Sequence, residues 1–162
     1  AHEGALSAQD TTGARGRTIA IIGTPLAQPW PPANVKLARR IAAYGLLISL
    51  APQVSGLSFT DKERLHSHWC RNRAIAALGC GTLVMAGKEG SSTLREVEAS
   101  LALGRPVLLW HTLVNGATAE PWALALLEEA PKDEMGRPLV RVVQSADEVE
   151  AALSPWTTVW WL

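Results

Sequence analysis

The segment Gly87-Lys88-Glu89-Gly90-Ser91-Ser92-Thr93 holds the residue types that bind an anion. Two glycines let main chain approach a ligand closely. Three hydroxyl residues follow them, at the point where a helix-period pattern begins, so unpaired amides gather there. Such a helix start favours an anion by about 0.3–1 kcal/mol before specific hydrogen bonds are counted. Lys88 adds a full positive charge. The chemistry expected is a phosphate cradle formed by Lys88, Ser91, Ser92 and Thr93. Ordinary capping by Thr93 and Glu96 would explain some of these residues, but capping requires neither Lys88 nor the glycines. It is not a Walker loop, since no Gly-Lys-Ser/Thr closes it.

Two further groups could join such a cradle. Arg71-Asn72-Arg73 places two guanidinium groups around an amide, early in a helical stretch ending near Leu78, and such groups fork onto phosphates or bases. Taken alone, the triplet reads as a solvated charged turn. Gly23-Thr24 ends an apolar run and precedes Trp30-Pro31-Pro32-Ala33-Asn34. That arrangement suits close main-chain approach to a ligand, and it reads equally well as a plain connector. Glu96 is the candidate for proton transfer in cleavage of an N-glycosidic bond, although a capping role explains it more simply. No Gly-x-Ser-x-Gly signature is present. His2, His66, His68 and His111 include no His-Glu-x-x-His arrangement, and Cys70 and Cys80 have no zinc spacing. No metal and no cofactor are expected.

Positioning these groups requires an alternating framework. Apolar runs at 18–22, 46–50, 82–86, 106–110 and 139–143 read as short strands buried on both faces. Helix-period segments lie at 34–44, 61–78, 93–103, 120–130 and 146–153. Thr60/Glu63, Thr93/Glu96 and Ser145/Glu148 read as capping boxes, and Gly45, Gly79, Gly81 and Gly104 fall where helices stop. Strand–helix–strand repetition implies parallel pairing with right-handed crossovers. The fold class expected is α/β, a Rossmann-like three-layer α/β/α sandwich with a mainly parallel sheet. Ligands then bind beyond the strand carboxyl ends, at residues 23–34, 50–59, 87–93 and 111–118. Residues 7–17 and 131–138 read as flexible.

The 162 residues suit one domain, 1–162, with a Trp-rich tail at 154–162. The tail could cover a sheet edge or act as a self-association patch, the basis for reading the chain as an interaction module without a ligand. Fifteen basic and fifteen acidic side chains balance, which argues against an overall positive coat but permits a local basic patch. No run of apolar residues is long enough to span a membrane, no signal peptide is visible, and reduced cysteines suit a cytoplasmic location.

In order along residues 1–111, these pieces resemble the DNA-processing protein DprA (Smf) family. Ala1-His2-Glu3-Gly4-Ala5-Leu6 is similar to its Ala-His-x-Gly-Ala-Leu helix, and Gly23-Thr24 with Trp30-Pro31-Pro32-Ala33-Asn34 to its Tyr-Pro-Pro-Glu-Asn loop. Arg71-Asn72-Arg73-Ala74-Ile75-Ala76-Ala77-Leu78 is similar to its Arg-Asn-Arg-Ile-Ile-Ala-Gly-Leu helix. Lys88 through Leu94 is similar to its Ser-Gly-Ser-Leu loop, and Gly104-Arg105-Pro106-Val107 to its Gly-Arg-x-Val stretch. The chain departs from the pattern at His68-Trp69, Ala86, Ser92, His111-Thr112 and Leu50. The family's first strand and Gly-Ile-Asp segment are expected upstream of residue 1, which makes the chain a fragment or a reduced relative. The resemblance implies a mediator rather than an enzyme. It would bind single-stranded DNA, pass it to a RecA-type recombinase in DNA uptake (competence) and recombination, and act as a homodimer or larger homo-oligomer. Arg71, Asn72, Arg73, Lys88, Ser91 and Ser92 would line the DNA phosphates. The loop from Gly87 to Glu96 also resembles the Gly-Gly-x-Gly-Thr-x-x-Glu loop of LOG-type phosphoribohydrolases, implying as an alternative an enzyme or sensor for a small nucleotide.

Overall fold

In the computed structural model, residues 1–9, 12–51 and 61–157 are described. They divide into two compact units, Ala1–Arg71 and Asn72–Leu162. The architecture is Rossmann-like α/β: the described strands β1 to β5 pair in parallel, and helices pack on the sheet faces.

The first unit holds α1 (His2–Ser7), β1 (Ile19–Ile22), α2 (Val35–Tyr44), β2 (Leu46–Ser49) and most of α3 (Asp61–Leu78). β1 and β2 pair in register from Ile19 opposite Leu46 to Ile22 opposite Ser49. Leu6 of α1, Ala20 of β1 and Ile41 of α2 meet in a small core, with Leu37 and Leu47 against it.

The second unit holds the end of α3, then β3 (Thr82–Val84), α4 (Ser92–Ala102), β4 (Val107–Trp110), α5 (Pro121–Glu129), β5 (Val140–Val143) and α6 (Ala146–Thr157). Its sheet runs β3-β4-β5. Side chains alternate across a strand, so Val107 and Leu109 pack with Val84, Val97, Leu113, Ala123 and Val140 on one face. Leu108 packs with Val143 and Ala152 of α6 on the other. Helices therefore cover both faces of this sheet.

Four expectations change. Burial on both faces holds for β4, which is central and fully covered, whereas Leu83 and Val142 on the flanking strands are exposed. Thr93 does not cap α4: the helix begins at Ser92 with Ser91 as its N-cap residue. Residues 131–138 form an ordered turn. Lys132 bridges Pro138, and the Asp133 carboxylate accepts bonds from the Met135 and Arg137 amides and from Arg137 Nε at 2.6 Å. α6 runs on to Thr157, and Trp156 lies under the Arg137 guanidinium, 3.8 Å from ring centroid to Cζ. Ser145 caps α6 as expected, its Oγ accepting the Glu148 amide at 3.2 Å, while the Glu148 carboxylate reaches one residue further back than a capping box requires, accepting the Gln144 amide at 2.8 Å. Thr60, residues 52–59 of the second candidate loop, Trp160 and Trp161 lie outside the described residues. Among the described residues no helix is long and apolar enough to cross a membrane, and no group of three metal-ligating side chains gathers.

Candidate functional site

In the first unit, Gly23 and Thr24 follow β1 and are buried. A Cβ on Gly23 would lie 2.5 Å from His68 Cδ2 and 3.3 Å from the His68 nitrogen. The Gly23 carbonyl accepts a 2.7 Å bond from Ser67 Oγ. The missing side chain thus admits α3, where sequence reasoning expected a ligand. Thr24 is engaged as well. Its Oγ1 accepts the Trp30 amide at 3.2 Å, and its carbonyl accepts Ser49 Oγ at 2.7 Å. Ser49 Oγ in turn accepts the Ala51 amide at 3.1 Å. These bonds seat the loop carrying Trp30, whose ring is exposed. His68 is held below the ordinary histidine range by burial first and the nearby Arg71 charge second.

In the second unit, the loop between β3 and α4 projects Lys88, Glu89, Gly90 and Ser92 into solvent. Gly90 has φ +73°, the left-handed region that glycine enters without strain. The Ser91 amide closes the turn on the Lys88 carbonyl at 3.1 Å. Lys88 has no ion-pair partner among the described residues. Ser91 makes no side-chain capping bond, and its Oγ is buried without a hydrogen-bond partner among the described residues. A buried hydroxyl in that state is uncommon in a folded protein. It lies at the start of α4, where the first amides of a helix have no intrahelical acceptor.

Two side chains hold this loop in place. Asn72, only 3% exposed, donates from Nδ2 to the Ser92 carbonyl at 2.8 Å. Trp122, near the start of α5, donates from Nε1 to the Gly87 carbonyl at 2.8 Å. Asn72 is thus directed at the start of α4, making it a positioning residue. Arg71 and Arg73 flank it in the C-terminal half of α3, not early in the helix. Two residues apart on a helix they point about 200° apart, so they do not share one face. Glu96 sits in the second turn of α4, half-buried.

Trp122 and Arg105 escaped sequence reasoning. Arg105 Nη1 donates to the Ala76 carbonyl at 2.6 Å and to the carbonyls of Ala77 and Gly79, closing the end of α3. Burial pulls its pKa below the ordinary arginine value, partly offset by Cys80. The four main-chain carbonyls that these two side chains bond are distant from them in sequence, which no local motif records.

The family model for DNA recombination-mediator protein A matches residues 1–129. The chain belongs to that family. A DNA recombination-mediator protein A relative, the DNA processing protein DprA of Bacillus subtilis (strain 168), is 31% identical over 122 residues, covering 74% of this chain and 38% of its own length. Protein Smf of Synechocystis sp. (strain ATCC 27184 / PCC 6803 / Kazusa) is 40% identical over 79 residues, covering 49% of this chain and 18% of its own. The X-ray structure of DNA processing protein A (DprA) from Streptococcus pneumoniae superposes with a TM-score of 0.61 at 27% identity, over 84% of this chain and 42% of that one. The chain thus spans about two fifths or less of these DNA recombination-mediator A relatives. The matched residues include α3, the 85–91 loop, α4 and β4.

Proposed function

We propose that this chain binds single-stranded DNA at the start of α4 and, as a homodimer or larger homo-oligomer in the cytoplasm, passes the strand to a RecA-type recombinase during DNA uptake and recombination. Family membership supports this role. The observation that carries the binding site is the exposed loop tip, where Lys88 adjoins the Ser91 hydroxyl at a helix start, neither side chain having a partner among the described residues. Phosphate oxygens accept from the amides and from Ser91, Ser92 and Thr93, while Lys88 supplies charge. Arg73, exposed on α3 in the same unit, adds a second cation. Gly23, Thr24 and Asn72 act by holding main chain in place.

The test is binding of a labelled oligothymidine across a salt series. Affinity falls with rising salt, with a log–log slope of about −0.7 per phosphate neutralised. Lys88→Ala reduces that slope by about one and weakens binding for all sequences alike. Salt-independent binding, or none, rejects the proposal. The second reading rests on Thr93 and Glu96 sharing the loop-to-helix segment. Under it, free base is released from nucleoside monophosphates, and Glu96→Gln abolishes that release.

A further inference from the structure

The first unit carries another cleft, at the opposite ends of β1 and β2 from Gly23. It has a volume of about 880 Å³ and is lined by residues 14–19 and 43–46. Two of those residues, Arg15 and Arg17, are cationic and none is acidic. Arg15 Cζ stands 5.7 Å from the centroid of the Tyr44 ring, within cation–π range, and Tyr44 is 56% exposed. Ile19 and Leu46 leave an apolar rim beside it, both at least half exposed.

The main chain beneath is tightly placed. A Cβ on Gly16 would fall 2.1 Å from the Ala5 carbonyl oxygen, and one on Gly45 would fall 2.1 Å from that of Thr18. The Gly16 amide donates to the Ala8 carbonyl at 2.9 Å, and the Leu46 amide to the Thr18 carbonyl at 3.0 Å. His2 Nδ1 and Thr18 Oγ1 lie 2.8 Å apart. The segment bearing the two arginines is therefore packed against α1 and the α2–β2 junction. Main chain already held in place loses less freedom on meeting a ligand.

We propose that this cleft binds one nucleotide unit, with its phosphate on Arg15 and Arg17 and its base against Tyr44, Ile19 and Leu46. Inorganic phosphate would use the arginines and leave the ring and rim unused. A run of acidic residues alone would satisfy the charge but brings no flat apolar face. A nucleotide supplies both, whether free or as one residue of a single strand. The assignment does not depend on the α4 loop.

Amide spectra of the full ¹⁵N-labelled chain test it, with separate titrations of thymidine monophosphate, oligothymidine, inorganic phosphate and polyglutamate. The expected result is saturable movement of the Gly16 and Gly45 signals with the mononucleotide, indicating a free ligand, or with oligothymidine alone, indicating a nucleotide within a strand. Binding is roughly tenfold tighter than for inorganic phosphate or polyglutamate, and Arg15→Gln with Arg17→Gln weakens it by about tenfold or more. Tyr44→Phe retains binding and Tyr44→Ala loses it, each variant first checked for native circular dichroism. Static Gly16 and Gly45 signals overturn the proposal, as does equal binding of phosphate or polyglutamate. Movement at Gly87 and Gly90 reports the α4 loop, so the two sites fail or succeed separately.

Discussion

Arg105 joins three carbonyls that the end of α3 would otherwise leave to water. A cation at a helix C-terminus also meets the negative end of the helix dipole. Arg105→Ala is expected to destabilise the chain by about 1–3 kcal/mol, read as a lower urea midpoint with unchanged slope. Arg105→Lys recovers only part of this, because one ammonium lacks the planar reach of guanidinium. His68 yields a pH prediction. Its folded pKa is depressed by burial and by Arg71, so the unfolded chain binds the proton more readily. The stability it contributes is present above about pH 6.5 and is lost as pH falls toward the folded value. His68→Gln should flatten the stability profile in that window, measured by denaturation at stepped pH. An unchanged profile would assign the acid sensitivity to other groups.

At the scale of elements, the candidate loop depends on its neighbours. Asn72 anchors the start of α4 and Trp122 anchors Gly87. Trp122→Phe keeps an aromatic ring but removes the N–H, so about 1 kcal/mol of stability goes with the bond. Asn72→Ala removes the bond from this buried amide to the Ser92 carbonyl, at about 0.5–1.5 kcal/mol. Both variants should weaken oligothymidine binding while leaving its salt slope intact, because neither removes a charge. Lys88→Ala changes the slope, and that contrast separates positioning from contact. Much of this scale was legible beforehand. The apolar runs became β1 to β5 and the periodic segments became helices, because each pattern is local. The Ser145 cap was legible for the same reason. Thr93 misled because Ser91, Ser92 and Thr93 are all competent caps, and packing decides which one ends the turn. Gly23 misled because a glycine required by α3 looks, in sequence, like one required by a ligand.

At the scale of the whole molecule, the two units differ in how their sheets are covered, which depends on long-range packing that strand patterns do not record. β4 lies between two strands, and Val107, Leu108 and Leu109 are fully buried. β1 and β2 form a two-stranded sheet over a core of Leu6, Ala20 and Ile41, while Ile19 and Leu46 stay exposed. Apolar burial stabilises by about 25 cal/mol per Å², and a two-stranded sheet alone is marginal in water. Local opening should therefore cost least in the first unit. Hydrogen exchange followed by mass spectrometry is expected to show the slowest amides at Leu108 and Leu109, with β1 and β2 exchanging well before them. Ligand at the Arg15–Tyr44 cleft would slow β1 and β2 selectively, because it bridges the segments that begin both strands. Equal protection across the two sheets would mean that the units open together, and the difference in burial would then not govern local stability.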